Sequence, residues 1–416
     1  MQTQFTQAVF VLIFLKVVLA VIFVIITLSL LRSFLDFLKK KSRAEFFAKQ
    51  KYILLEVIPP KSMKKTPEAM ELFLGALHQT GGDVSGKLER YYKGSVRPWF
   101  SLEIVSVDGF VKFFIWSRAN FVEMLETQLY SQYPDIEIDN VTESDYATKI
   151  KWAPESYQYW GCNFVKTGPS HLPIKTYVAH GLHGGDAETN KVDPITPVIE
   201  LLGSLKKDEQ IWIQILIRAH VKDRIKPGTK SELVDWKHEA GQDLIKRTKR
   251  DLKMDPTKPV NPALLVLTKA EKEAVEAIEN SISKLPFDCT IRAVYLAKKE
   301  AFRQSMIAGI NGSFRQYGSP NLNGFKTTGA PTPTKYKWQD KKGEKLLAQK
   351  KKIVGEYQHR AAFVPEYIPY GGKNKPFVMT TEEIATIFHF PGEVSKTPTL
   401  SRVQAKKVEP PANLPI

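Results

Sequence analysis

From Val9 to Leu31 the chain reads VFVLIFLKVVLAVIFVIITLSLL, apolar at almost every position, with Lys16 the one charge. About 20 apolar residues in helical conformation cross a bilayer, so this run predicts a single transmembrane helix. It is too long for a signal-peptide core, no small-x-small cleavage site follows, and no charged side chain precedes it. Lys16 is expected to snorkel towards the nearer interface on its long stem.

Beyond the span the apolar positions fall into short blocks. Tyr52 to Ile58 (YILLEVI) reads as a strand stopped by Pro59-Pro60. Met70, Leu72, Phe73 and Leu77 have helical spacing, and Thr80-Gly81-Gly82 closes that helix. Phe100 to Val107 and Phe110 to Trp116 form two strands joined by the hairpin signal Asp108-Gly109. Ser117 opens a helix through Val122, Leu125 and Leu129. Ile136, Ile138 and Val141 then alternate with Asp135, Glu137 and Asp139 in a half-buried strand. The order β-α-β-β-α-β is the ferredoxin-like arrangement.

A second unit follows. Tyr157 to Lys166 and Ile174 to Val178 read as strands, and Asp193-Pro194 opens a helix through Val198 and Leu202. Gln210 to Arg218 (QIWIQILIR) is a central strand. A polar, lysine-rich insertion lies near 221–258. Thr268 with Glu271 makes a capping box, Asp288 to Ala297 is a strand, and Phe302 to Phe314 a closing helix. Tyr317 to Lys337 reads as a loop and Lys341 to His359 as a basic helix. A second capping box, Thr380 with Glu383, opens TEEIATIFHF. The last segment has four prolines and no apolar period, which makes it an extended tail.

The predicted fold class is therefore α+β. Residues 1–31 form the transmembrane helix and 32–51 a basic juxtamembrane segment. Residues 52–145 and 146–330 form two ferredoxin-like units, the second carrying the helical insertion. Residues 331–416 hold the basic helix, the short capped helix and the proline-rich tail.

Charge adds orientation. The chain has 416 residues with 60 Lys and Arg against 44 Asp and Glu, a net charge of +16, which favours an anionic partner. Arg32, Lys39, Lys40, Lys41 and Arg43 follow the span directly. The positive-inside rule then places everything after residue 32 in the cytoplasm, anchored in the inner membrane. Interleaved with Phe34, Leu35, Phe37 and Leu38, these residues are expected to lie on anionic lipid. Cys162 and Cys289 lie far apart, which fits a reducing compartment and no disulfide framework.

No catalytic constellation emerges. GGDVSGKL, from Gly81, approaches the phosphate-binding loop, but Leu88 replaces the magnesium-holding hydroxyl, and a helix rather than a strand leads in. His180, His183 and Asp186 lack the further ligands a zinc site needs. No cofactor, no metal and no enzymatic activity are expected. Two basic clusters are candidate nucleic-acid contacts: Lys246, Arg247, Lys249 and Arg250, and Lys350, Lys351 and Lys352.

The stretches RPWFSLEIVSVDGFVKFFIW, QLYSQYPDIEI, LPIKTY, GSLKKDEQIWIQILIR, TEEIATIFHFPG and EPPANLPI together resemble the N-terminal, non-motor region of conjugal-transfer and type IV secretion ATPases from candidate-phyla (patescibacterial) bacteria. The resemblance covers most of the chain from about Lys51 onward. In those relatives a helix like Glu382 to Phe390 and a Pro-Pro-x-x-Leu-Pro tail lead into the ATPase domain. Here the sequence stops at Ile416, where the motor would begin. The resemblance implies a membrane-anchored accessory or scaffold subunit whose partner ATPase is a separate chain. Glu383, Ile384, Phe388, Phe390, Pro410 and Pro411 are the expected docking residues, and homo-oligomers are plausible through exposed strand edges. The alternatives are a DNA-pumping ATPase cut before its motor and a membrane-associated, nonspecific nucleic-acid-binding protein.

Overall fold

The computed structural model describes residues 2–60, 66–82, 89–183, 193–221, 235–248, 267–334, 336–340, 342–364 and 375–392. Two units are distinguished. One comprises residues 1–50 and 81–97, the other residues 51–80 and 98–416.

The first unit is built on α1 (Gln2–Lys49), one uninterrupted helix through both the apolar run and its basic flank. Neither glycine nor proline occurs in it, so nothing breaks it at residue 31. From Ile13 onward it is long and apolar enough to cross a membrane, and its apolar window is not buried. A single helical turn, Glu89–Tyr91, belongs to the same unit. Ser42 Oγ donates to the Tyr91 carbonyl, and the Lys39 ammonium lies 5.2 Å from the Tyr91 ring centre. Gly94 takes φ +58°, and a Cβ there would clash with the Ser42 carbonyl oxygen.

The second unit is organised by a nine-stranded antiparallel sheet. Its strands are β1 (Tyr52–Ile58), β2 (Phe100–Val107), β3 (Phe110–Arg118), β4 (Glu137–Asn140), β5 (Tyr157–Lys166), β6 (Glu209–Ala219), β7 (Pro286–Lys298), β8 (Phe325–Thr328) and β9 (Phe377–Thr380). The order is β4-β1-β3-β2-β6-β7-β5-β8, with β9 pairing the start of β7. Each half follows the same plan. Counted within the half, β4-β1-β3-β2 and β8-β5-β7-β6 both run fourth, first, third, second. The halves join where β2 pairs β6, from Phe100 opposite Ile217 to Val107 opposite Gln210. The strands of residues 52–145 and of residues 146–330 are thus joined in one continuous sheet.

The helices of this unit are α2 (Pro67–Ala76), α3 (Val122–Gln132), α4 (Tyr146–Lys149), α5 (Thr196–Gly203), α6 (Trp236–Arg247), α7 (Lys269–Ser283), α8 (Gln304–Ser313), α9 (Glu344–Gln358) and α10 (Thr381–Ile387). Alternation along the strands sends Leu55, Leu102, Phe113, Ile213 and Ile291 to one sheet face. There they share a core with Phe73, Leu125, Ile199, Ile310 and Ile384 of α2, α3, α5, α8 and α10. The neighbours of those strand residues point the other way, where Ile353, Val354 and Tyr357 of α9 are buried.

The β2–β3 hairpin turns at Asp108 (φ 55°) and Gly109 (φ 88°), as the dipeptide predicts. Gly109 is required twice over, because a Cβ there would come 2.8 Å from the Leu205 carbonyl oxygen. Both capping boxes form, at Thr268–Glu271 and Thr380–Glu383.

Three expectations change. Ile174 to Val178 is not a strand. Its amides go instead to side chains of α10, Ile174 N to Glu383 Oε1 at 3.0 Å and Tyr177 N to Thr386 Oγ1 at 2.9 Å. The expected loop after Tyr317 contains β8, which pairs β5, with the Phe325 ring packed on Phe314 and Tyr317. The segment from Phe377 to Phe390 is not an appendage, since β9 and α10 lie in the sheet and its core. The proline-rich tail, with Pro410 and Pro411, lies outside the described residues.

Candidate functional site

One row of residues crosses the α9 face of the sheet. Register places Asp139, Glu56, Phe114, Glu103, Gln214, Arg292, Asn163 and Thr328 side by side on β4, β1, β3, β2, β6, β7, β5 and β8. In FSLEIVSV, QIWIQILIR and PFDCTIRAVYLAK the central polar residue belongs to this row. Glu103, Gln214 and Arg292 are each fully buried. A buried charge has to be paired or it destabilises the fold.

Arg360, two residues past α9, supplies the pairing. Its Nε and Nη2 donate to Glu103 Oε1 and Oε2 at 2.8 and 3.0 Å, and its Nη1 donates to Asp145 Oδ2 at 2.9 Å. Arg360 sits at φ 49°, a conformation uncommon for a residue with a long side chain, held by these three bonds. Ser101 Oγ, Tyr146 OH and Gln214 Nε2 also donate to Glu103, at 2.6, 2.7 and 2.9 Å. Burial works against ionising Glu103, but the Arg360 charge and these donors prevail and hold its carboxyl below the ordinary range.

Arg292 is less well served. Its Nη1 donates to the Glu356 carbonyl, while among the described residues Nε and Nη2 have no hydrogen-bond partner, nor do Gln214 Oε1, Asn163 Oδ1 and Thr290 Oγ1. Burial pulls its guanidinium below its ordinary value. The row can lock α9 to the sheet and set its register. Among the described residues no group of three His, Cys, Asp or Glu side chains is placed to hold a metal ion.

A second set of buried charges fixes α10. Lys166 Nζ lies 2.7 Å from Glu383 Oε1, and both side chains are almost fully buried. His389 has Nε2 2.8 Å from Asp193 Oδ1 and Nδ1 2.8 Å from the Ala385 carbonyl. Both ring nitrogens face acceptors. Glu383, Ile384, Phe388 and Phe390, expected as docking residues, are thus interior: each is at most 2% exposed. Their helix has an apolar stripe because it fills the core, and the rings of Phe388 and Phe390 pack edge-on against Phe113.

The basic candidates separate. Arg32, Lys40, Lys41 and Arg43 are exposed along α1 and Lys39 is half-buried, with Lys39 3.4 Å from Asp36 and Lys41 3.9 Å from Glu45. Lys246 is exposed, whereas Arg247 Nε donates to Asp243 Oδ2 at 2.8 Å, and Asp243 also meets His171 Nε2 at 3.2 Å. That cluster is balanced by carboxylates. Lys249 and Arg250 lie outside the described residues, as do Asp186 and residues 83–88 of the GGDVSGKL stretch. The helix α2 does lead into that stretch. Lys351 and Lys352 are exposed on α9, and Lys350 is half-buried, its ammonium pulled down by burial.

Sequence reasoning missed the Glu103–Arg360 and Asp193–His389 pairs. For Glu103 the available signal was the lone charge in the strand FSLEIVSV, whereas Arg360, Asp193 and His389 lie outside the strands and carried no such signal.

The sequence profile of one family, described as a domain of unknown function (DUF8128), matches residues 38–403. The chain belongs to that family. No curated protein matches it. The DUF8128 match takes in the whole described sheet, α9, α10 and the basic end of α1, so the buried row and both ion pairs lie within the family's own fold.

Proposed function

We propose that this chain is a membrane-anchored, non-catalytic accessory or scaffold subunit of a conjugation or type IV secretion-like DNA-transfer machine, docking to an ATPase on another chain. The observation that carries the reading is the exposure of α1. Its apolar length is unburied, while the second unit encloses a core of its own. A tether joined to a self-sufficient body suits a part that holds others at a membrane.

Several features support the finer points. The basic residues after the span favour the inner membrane with the bulk in the cytoplasm. The shared strand order of the two halves supports reading them as ferredoxin-like units placed edge to edge. The outer strands β4 and β8 are largely exposed, which leaves the sheet edges open to strand addition by a copy or a partner, although their length of four residues limits it. Since α10 is interior, docking to the motor falls to residues beyond Gly392, including Pro410 and Pro411.

The test is fractionation followed by co-purification. The full chain should stay with membranes after carbonate washing, and a chain lacking residues 2–31 should not. A tagged full chain should retain a secretion ATPase encoded nearby, and a chain ended after Gly392 should lose it. A soluble full chain sinks the tether, and failure to recover any ATPase sinks the machine.

A further inference from the structure

The outer side of α9 and the turn before it carry exposed aromatic and basic side chains. Just before the helix, Tyr336 and Trp338 stand 49% and 69% exposed, their rings within 15° of parallel and 6.1 Å apart. Asp340 fixes this turn to the helix by accepting from the amides of Lys345 and Leu346 at 3.1 and 3.0 Å. Behind it Thr332 N donates to Gln349 Oε1 at 3.2 Å. Lys342, Lys345, Lys351 and Lys352 are all exposed along this stretch. Opposing carboxylates are few here. Glu344 is exposed, Asp340 is committed to backbone amides, and Glu356 is buried 3.6 Å from Lys352. Further along, Lys350 and Lys299 rim a groove of about 270 Å³ whose wall includes Tyr157 and Tyr159.

Exposed, near-parallel rings followed by several exposed lysines match one polyanion class. Unpaired bases offer flat faces that stack on aromatic side chains, and the phosphates beside them pair with ammonium groups. Duplex DNA hides its base faces, and a lipid headgroup has none. We propose that the α9 surface binds single-stranded nucleic acid without sequence preference, bases stacking on Tyr336 and Trp338 and phosphates pairing with the exposed Lys342, Lys345, Lys351 and Lys352. The inference deepens the DNA-transfer reading and takes its purpose from it, but its test does not depend on it.

The test is fluorescence anisotropy of the detergent-solubilised full chain with a labelled oligothymidine of about 20 nucleotides. Trp338→Ala should weaken binding about tenfold, the loss of one stacked base, and Trp338→Phe should restore most of it. Lys345→Glu with Lys351→Glu should weaken it further and flatten the dependence of log Kd on log salt by about 0.7 for each phosphate left without its lysine. A duplex of the same length should bind more weakly. Unchanged affinity in Trp338→Ala overturns the proposal, as does equal affinity for the duplex. If the same variants lose anionic vesicles but keep the oligonucleotide, the surface faces lipid and the proposal fails. A chain that recruits the ATPase yet ignores the oligonucleotide defeats this inference alone. One that binds the oligonucleotide yet recruits no ATPase defeats only the machine assignment.

Discussion

Arg360 grips both carboxylate oxygens of Glu103 across 257 residues of sequence, with neither side chain more than 3% exposed. The pair joins the segment after α9 to the centre of the sheet. Its partners decide what each arginine of the buried row is worth.

Replacing Arg360 by Met leaves Glu103 and Asp145 buried without their cation. Destabilisation of about 3–5 kcal/mol is expected, read as a lower urea midpoint. Adding Glu103→Gln should recover part of that loss, because the stranded charge is then gone. Equal midpoints for the single and double variants would contradict this account.

Arg292→Met should behave oppositely. Arg292 is fully buried with two nitrogens that have no partner among the described residues, so an apolar side chain of similar length should be neutral or stabilising. A fall of more than about 2 kcal/mol in the same assay would show that the guanidinium is satisfied in solution.

Stability should fall on the acid side. Asp193 and Asp288 have carboxyls held below their ordinary value: burial opposes this in both, but His389 and then a backbone amide prevail at Asp193, and His220 with Arg218 at Asp288. Glu103 shifts the same way. A depressed folded pKa contributes stability that is complete above the unfolded value, about 4, and drains away as pH drops through the folded value. Melting temperature should therefore hold from neutrality to about pH 5 and decline below about pH 4. Glu382 acts in reverse, since burial raises its carboxyl, and protonating it favours the fold. A melting temperature that rises steadily below about pH 4 would refute the sign.

Thiol chemistry gives a cheap probe of the core. Cys162 is fully buried on β5 and burial pushes its thiol up to about 12, while Cys289 is pushed up further. Neither should react with a thiol reagent near pH 8 before unfolding, and both should react in urea. Rapid labelling of either in the native chain would contradict the packing.

Removing β9 and α10 should cost the fold itself. Phe388→Ala alone is expected to destabilise by about 3–5 kcal/mol, because Phe388 is fully buried against Phe113. A chain ended before Phe377 should lose protease resistance across the sheet. If it stays resistant, α10 is a docked accessory instead.

Much of this was legible in the chain, because the signals were local. The apolar run of α1, the Asp108-Gly109 turn and both capping boxes depend on residues a few positions apart. What escaped was long-range. Nothing near Ile174 announces that its amide will bond Glu383, 209 residues away. The apolar stripe of TEEIATIFHF is equally a docking face or a core face, and only the partner strands decide. The join of β2 to β6 is also invisible locally, since either strand could have ended a separate sheet.

The position of α10 near the far end of the folded unit orders events at the ribosome. Chains emerge at about 5–20 residues per second, so α1 is delivered well before the side chains that close the core. Until Phe388 and Phe390 arrive, Phe113 lacks the two rings that pack edge-on against it, and the core it shares with α2, α3, α5 and α8 is incomplete. The helix long and apolar enough to cross a membrane is thus complete before the sheet can close its core.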